Sequence, residues 1–292
     1  MHSLGVNPEV LIIGCGFLGE AAAELFSTQG RQVLGLVRGN VSLEPLAGKP
    51  YETALCDVTD PASVEGLTNR LREVPLAIYA VSSGRGGAES YAAVYRDGLK
   101  RILDHWKPSR LLFVSSTSVY AQTDGDWVTE DSPTIPDRET GRILLEAEQI
   151  SLGAGGSVAR LSGIYGPGRS VLLRKFLMGE SVLEEGGGRW INQIHRDDAA
   201  AALVRLGDPI VPPGLYNTTD DFPASQREVY CWMSDFLGKP LPPEGPADRN
   251  RKRGWTSKRV SNRKLHEIGW KPSFPSFRDA LPRLLPTIST II

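Results

Sequence analysis

The sequence predicts an α/β protein: a doubly wound parallel sheet with a small C-terminal lobe. Three observations lead there. Runs that suit strands alternate with helical patterns through the first two thirds of the chain, which implies successive β-α-β units. Those runs are continuously apolar rather than alternating, as in a sheet covered on both faces. Hydrophobic residues make up 40% of the 292 residues and charged residues 23%, the balance of an ordinary globular chain.

The elements follow in order. Val10–Ile13 is a short apolar strand, and Glu20–Thr28 is Ala-rich and helical with Gly30 as its stop. Strands at Gln32–Val37 and Tyr51–Leu55 come next, the second closed by Cys56-Asp57-Val58-Thr59-Asp60. Pro61–Arg72 reads as a helix with proline near its start. Leu76–Val81 is a strand ending in Ser82-Ser83-Gly84, and Tyr91–Trp106 is an amphipathic helix. Arg110–Val114 is a strand ending in Ser115-Ser116-Thr117, followed by a helix at Glu139–Leu152 and a strand at Ser157–Leu161. After Tyr165 the order loosens into Gly-rich turns and a stretch, 206–223, with four prolines. Ser225–Leu237, Arg263–Ile268 and Phe277–Leu285 read as helices. The expected organisation is a nucleotide-binding domain over residues 1–168 and a substrate-binding lobe over 169–292. Part of 190–220 returns to the sheet.

Composition excludes several classes. Lys plus Arg is 33 and Asp plus Glu is 34, a net charge of -1, so no global basic field holds nucleic acid or an anionic membrane. Cys15, Cys56 and Cys231 are too scattered for a disulfide framework or zinc cluster. No stretch approaches the roughly 18 apolar residues of a membrane span. The run at Val10–Leu18 has no basic flank and contains Gly14 and Gly16, so it is not read as a leader. The expectation is a cytoplasmic protein with no membrane, metal or nucleic-acid partner.

Gly14-Cys15-Gly16-Phe17-Leu18-Gly19 is G-x-G-x-x-G, placed after a strand and opening a helix. The first glycine makes the tight turn, the second admits a pyrophosphate to the backbone, and the third lets helix and strand pack closely. The helix start, including Phe17 and Leu18, offers N–H groups to phosphate. The alternative is a glycine turn with no ligand. An NAD-binding chain places an acid at the end of the next strand; here Leu36-Val37-Arg38 stands there, and no acid occurs between Glu24 and Glu44. A guanidinium suits a 2′-phosphate, so the expected cofactor is NADP rather than NAD. Asp57 is placed to meet the adenine edge, with a helix N-cap as its alternative. Val81 and Ser82, at the end of their strand, complete the cofactor set.

Further along, Phe-Val-Ser-Ser-Thr-Ser-Val-Tyr at 113–120 resembles the fifth-strand motif of the extended short-chain dehydrogenases/reductases, the NAD-dependent epimerase/dehydratase superfamily. Similar likenesses occur at 160–169 (Arg-Leu-Ser-Gly-Ile-Tyr-Gly-Pro-Gly-Arg), at the His-x-x-Asp of 195–198, at Leu215-Tyr216-Asn217, and at Gly269-Trp270-Lys271-Pro272. The resemblance implies a Rossmann-type domain, a small-molecule substrate and, as in many members, a homodimer. It also implies a catalytic Ser or Thr after the fifth strand, which falls on Ser116. In the superfamily a Tyr-x-x-x-Lys pair follows on the next helix, the lysine lowering the phenol's pKa for proton transfer. Here Thr140 stands at the tyrosine's place and Leu144 at the lysine's. The chain therefore looks like an atypical member.

Other residues were weighed as replacements. Tyr120 carries a phenol near the strand end, with packing as its alternative. Arg142 is a candidate to hold a substrate phosphate or carboxylate. His195 has the right pKa range for a shuttle, though a lone histidine is more often structural, and an acid such as Glu139 in a first helical turn is explained by the helix dipole. Residues 248–264 carry eight basic side chains around a single aromatic, Trp255. That pattern is poor for nucleic acid and ordinary for a solvated loop. The resemblance offers a third reading, in which Arg259 meets a substrate diphosphate. Gly187–Trp190 and Asn192 are read as lining the same cleft. The expected function is an NADP-binding oxidoreductase or epimerase/dehydratase-type enzyme acting on an anionic small molecule such as a nucleotide sugar. Its rival is a non-catalytic NADP(H)-binding redox sensor.

Overall fold

The computed structural model describes residues 7–68, 71, 73–84, 86–250 and 254–289. The chain forms two compact units, each assembled from three stretches of sequence. The first comprises residues up to Ser116, Glu139–Arg160 and Ala200–Tyr216; the second comprises Thr117–Arg138, Leu161–Ala199 and Asn217 onward.

The frame of the first unit is a seven-stranded sheet of β1 (Val10–Ile13), β2 (Val33–Val37), β3 (Glu52–Leu55), β4 (Leu76–Tyr79), β5 (Arg110–Ser116), β6 (Ser157–Leu161) and β7 (Leu215–Thr218). Its order is β7-β6-β5-β4-β1-β2-β3. The strands β1 to β5 pair in parallel, with Ile13 opposite both Leu36 and Tyr79, and Tyr79 opposite Phe113. Every residue of β1, β2 and β4 is buried, which explains their unbroken apolar sequence. The edge strand β3 is largely exposed. The strand order reverses between β1 and β4, the crevice where open α/β sheets take their ligands.

Helices α1 (Phe17–Thr28), α2 (Pro61–Thr68), α3 (Gly98–Trp106), α4 (Glu139–Gly153) and α5 (Arg196–Leu206) connect the strands. Residues 69, 70 and 72 of the second expected helix lie outside the described residues. The expected single helix over Tyr91–Trp106 is a composite: α-helix at Ala88–Tyr91, a π-helical stretch at Ala92–Asp97, then α3. The cause is tertiary. The Tyr79 hydroxyl, from β4, donates to the Val94 carbonyl at 2.5 Å, and a Cβ on Gly98 would lie 2.6 Å from that hydroxyl. No helix is expected at 196–206, where the sequence offers only the end of the His-x-x-Asp motif; α5 forms there, and the Arg110 guanidinium donates to the Leu206 and Val211 carbonyls at its end.

The second unit has its own core, in which Leu173, Phe176, Val229, Tyr230, Met233, Leu281 and Leu284 are buried together. Helix α6 (Gln226–Leu237) begins with a capping box: the Ser225 side chain accepts from Glu228 N, and the Glu228 carboxylate accepts from Ser225 N. Helix α7 (Phe277–Ser289) runs past Leu285, the end expected from Pro286, because Leu281, Leu284 and Ile288 all reach the core.

Candidate functional site

The glycine loop has the geometry its spacing requires. Gly14 adopts φ +91°, and a Cβ there would lie 2.7 Å from the backbone of Ala80 and Val81. The turn after β1 is therefore packed against the end of β4. A Cβ on Gly19 would strike the Gly14 carbonyl oxygen, so helix and turn are in close contact. At Gly16 a Cβ would meet nothing within 4 Å. The space in front of the second glycine is open, and Gly16, the N-cap of α1, brings no capping side chain. Backbone N–H groups at a helix start, facing open space, are a fit for a pyrophosphate. Leu18 is buried and Phe17 half-buried, so both fix the helix while their amides remain at its first turn. Cys15 is buried against Gly35 and Tyr51. Burial raises its thiol to about 11, which leaves it unreactive.

Arg38 follows β2 and is exposed. Asp57 is not the N-cap of α2: its carboxylate accepts from Thr59 N at 2.9 Å and Thr59 Oγ1 at 2.7 Å. The neighbouring Asp60 accepts from Ala62 N and fills the capping position. Val81 is half-buried and Ser82 exposed, the latter accepting from Gly84 N.

Ser116 ends β5 and is half-buried. The residue before it is anchored. Ser115 Oγ donates to Glu148 Oε1 at 2.5 Å, and Glu148 accepts from Arg160 Nε at 3.0 and 3.2 Å and from Nη2 at 2.5 Å. This ion pair is almost fully buried, with side-chain exposures of 4% for Arg160 and 3% for Glu148. It ties β5, α4 and β6 together. On α4, Thr140 is half-buried and Leu144 is buried. The exposed Arg142 guanidinium donates to Glu139 at 2.8 Å. No Tyr-x-x-x-Lys occurs anywhere in the sequence, and α4 brings neither a phenol nor an ammonium to this point.

In the second unit, Tyr120 is fully buried. Its hydroxyl lies 2.9 Å from the Thr129 carbonyl and 2.8 Å from Asn217 Oδ1, a bridging role within the core. Asn192 uses both ends of its amide on one strand segment: Nδ2 donates to the Lys258 carbonyl and Oδ1 accepts from Val260 N, each at 2.8 Å. Arg259 lies between two indoles, 5.2 Å from Trp127 and 4.9 Å from Trp190. Its Nε donates to the Gly125 carbonyl at 2.8 Å. The expected substrate arginine is thus built into a cation–π sandwich. His195 is buried with Phe274 at 4.3 Å, and burial pushes its pKa below the usual range. Asp198 accepts from Ser273 N at 2.7 Å and Phe274 N at 2.9 Å. The His-x-x-Asp segment therefore clamps the Gly-Trp-x-Pro region.

Arg189 falls within the run Gly187–Trp190 read as lining the cleft; the burial of Lys258 had no such signal. Lys258 was counted within the basic surface run, of which Arg251, Lys252 and Arg253 lie outside the described residues. Yet Lys258 is only 4% exposed, its Nζ donates to Thr256 Oγ1 at 2.9 Å, and burial with the nearby Arg189 charge lowers its pKa to about 8. Nothing in the sequence separates it from the exposed Arg249 and Arg263 of the same run. Beside this segment is a cavity of about 270 Å³ lined in part by Glu184, Glu185, Arg189, Trp190, Trp255 and Ser257.

Comparison with known proteins places the chain. The profile of the NAD dependent epimerase/dehydratase family matches residues 10–218. A solved structure from Methylobacillus flagellatus, described as an NAD-dependent epimerase/dehydratase, is 31% identical with a TM-score of 0.80, covering 97% of this chain and 100% of that one. Protein YeeZ of Escherichia coli K12 is 26% identical over 281 residues, 91% of this chain and 96% of its own. A 3-diazoavenalumate denitrifying reductase from Streptomyces is 27% identical over 307 residues, 94% of this chain and 99% of its own. The chain belongs to the NAD-dependent epimerase/dehydratase family and has that family's NAD(P)-binding fold. Among the described residues no helix is long and apolar enough to cross a membrane.

Proposed function

We propose that the protein is an NADP(H)-dependent oxidoreductase of this family acting on an anionic small molecule. The observation that carries the proposal is the exposed Arg38 at the end of β2, where an NAD-binding chain places an acid. The backbone of Gly14, Gly16 and Gly19, with the first-turn amides of Phe17 and Leu18, holds the pyrophosphate. Arg38 grips the 2′-phosphate, Asp57 meets the adenine edge, and Val81 and Ser82 lie along the dinucleotide. The bound nicotinamide supplies a hydride. Ser116 polarises the acceptor, in a position steadied by the Ser115–Glu148–Arg160 network. Thr140 adds a hydroxyl that cannot ionise at neutral pH. Tyr120 is left out of the catalytic set because its hydroxyl is bonded inside the core.

Net reduction is favoured over epimerisation. Epimerisation by oxidation and re-reduction moves a proton twice, whereas net reduction takes one proton up once; α4 offers neither phenol nor ammonium at positions 140 and 144, so the single proton of reduction comes from water. The name of the Streptomyces relative, a reductase, supports the same direction. Calorimetric titration of the purified protein with NADP, NADPH, NAD and NADH tests the cofactor. Tighter binding of the phosphorylated pair is expected, and binding of NAD alone would overturn it. Turnover that survives Ser116→Ala undiminished would remove Ser116 from the mechanism. The missing phenol and lysine also favour a second reading, a non-catalytic redox sensor. A sensor binds NADP and NADPH unequally and is indifferent to Ser116→Ala.

A further inference from the structure

In the second unit the loop 219–222 is fastened on several sides. Thr219 Oγ1 and Asp220 N both donate to the Gln193 carbonyl, at 3.1 and 2.8 Å. Asp221 N donates to the Pro275 carbonyl at 3.0 Å. Asn262 Nδ2 lies within hydrogen-bond distance of the Thr219 and Asp220 carbonyls and of Asp221 Oδ1. His266 Nε2 is 2.7 Å from that same oxygen. The loop thereby ties residues 262–275 to the strand segment Gln193–His195.

One side chain at the centre of this fastening is left incomplete. Asp220 is 3% exposed. Its carboxyl takes a hydrogen bond from the Phe222 backbone, but Oδ1 has no partner among the described residues. The hydroxyl of the buried Tyr165 has none either, and Asp220 is the charge that acts on it most strongly. The charges that act most on Asp220 are of its own sign: Asp221 beside it, Asp198 on α5 and Asp279 on α7. Each of those three has partners. Asp221 has Asn262 and His266, Asp198 has Ser273 N and Phe274 N, and Asp279 has Ser276 N and Oγ. Among the other charged groups of the surrounding elements, His195 is buried and held below its usual pKa, with Arg196, Asp197 and Arg283 acting on it. Burial and like charge push the Asp220 carboxyl well above the usual carboxylate range.

An anion in this place is desolvated and surrounded by carboxylates, so the neutral acid is the form that fits the closed loop. Once ionised, Asp220 is relieved by turning out to water. That movement breaks the hydrogen bonds of the loop to Gln193, Asn262 and Pro275. We infer that the loop 219–222 is a pH-sensitive latch on residues 262–276, closed while the Asp220 carboxyl carries a proton and released as it ionises. The latch goes beyond the cofactor and substrate readings and depends on neither. Folding tightens the hold of Asp220 on its proton. The latch is therefore strongest below pH 3.8, the ordinary value for this group, and weakens as pH rises above it.

The test is hydrogen exchange on the full-length protein, read by mass spectrometry from about pH 5 to 8 and corrected for intrinsic exchange rates. Asp220→Asn keeps the shape of the side chain and removes its charge. Protection of residues 262–276 in the wild type is expected to fall at least about tenfold relative to Asp220→Asn across that range, tenfold for each pH unit over which only the closed form holds the proton. Asp198 and His195 titrate in both proteins, so the difference isolates Asp220. An equal pH dependence in the two proteins would overturn the latch. Should Asp220→Asn not fold, the wild-type protein still decides. Its infrared spectrum should show a protonated carboxyl at about pH 5 that disappears as residues 262–276 lose protection. No protonated carboxyl at that pH, or its disappearance with protection unchanged, would overturn the latch as well.

Discussion

Replacing Glu148 by Gln removes the carboxylate that pairs with the buried Arg160 guanidinium. Three guanidinium contacts, at 3.0, 3.2 and 2.5 Å, and the Ser115 hydroxyl at 2.5 Å converge on that carboxylate. With both side chains at 4% exposure or less, water cannot replace it. Breaking one side of such a pair costs about 3–5 kcal/mol, because a desolvated charge is left behind. Replacing both partners with apolar residues of similar volume, Glu148→Leu with Arg160→Met, leaves no charge and is expected to be neutral within about 2 kcal/mol. With Glu148→Leu and Arg160→Met each costing about 3–5 kcal/mol alone and the pair at most about 2, the coupling between the two sites is at least about 4 kcal/mol. Urea unfolding followed by circular dichroism measures all four corners of the cycle. A single substitution costing less than about 1 kcal/mol would show that water reaches the pair. A double variant as unstable as the sum of the singles would refute the desolvation argument itself.

Three further outcomes are expected. Gly14→Ala combines a positive φ with a Cβ 2.7 Å from backbone; strain and overpacking together cost about 2–5 kcal/mol, and both urea stability and NADPH affinity should fall. Arg38→Ala should weaken NADPH roughly 10–100-fold, the range of charge-assisted hydrogen bonds to a phosphate. NADH binding should change little, and equal losses for both cofactors would remove Arg38 from the 2′-phosphate. Lys258 has its pKa lowered from 10.5 to about 8, so between those pH values the unfolded chain holds a proton that the folded chain has released. Stability from this group therefore rises from about pH 8 to 10.5, by up to roughly 3 kcal/mol, and denaturation of Lys258→Met across that range should lack the rise.

The parallel sheet was legible because its strands are buried on both faces, so burial writes itself into sequence as continuous apolar runs at 10–13, 33–37 and 76–79. The glycine loop was legible because its spacing follows a strand and opens a helix; Gly14 and Gly19 answer close contacts, while Gly16 leaves open space. The π-helical turn at 92–97 was not, since its cause is a hydroxyl from Tyr79, fifteen residues earlier. The extension of α7 through Pro286 was hidden for a like reason: local preference ends the helix, and burial of Ile288 continues it.

The site divides in the same way. Sequence alone pointed to the glycine turn at 14–19, because one strand, one turn and one helix start, contiguous in the chain, form it. It also holds no Tyr-x-x-x-Lys, Thr140 and Leu144 standing where the resemblance puts that pair. Only the tertiary structure decided what the polar residues elsewhere do. Tyr120 and Asn192 hydrogen-bond inside the protein, Arg259 stacks over two indoles, and Lys258 is buried while Arg249 and Arg263 of the same basic run are exposed. A charged or polar residue reads the same in sequence whether it faces water or the core. Its role depends on which distant groups desolvate it and complete its hydrogen bonds, and those are fixed only when the chain folds.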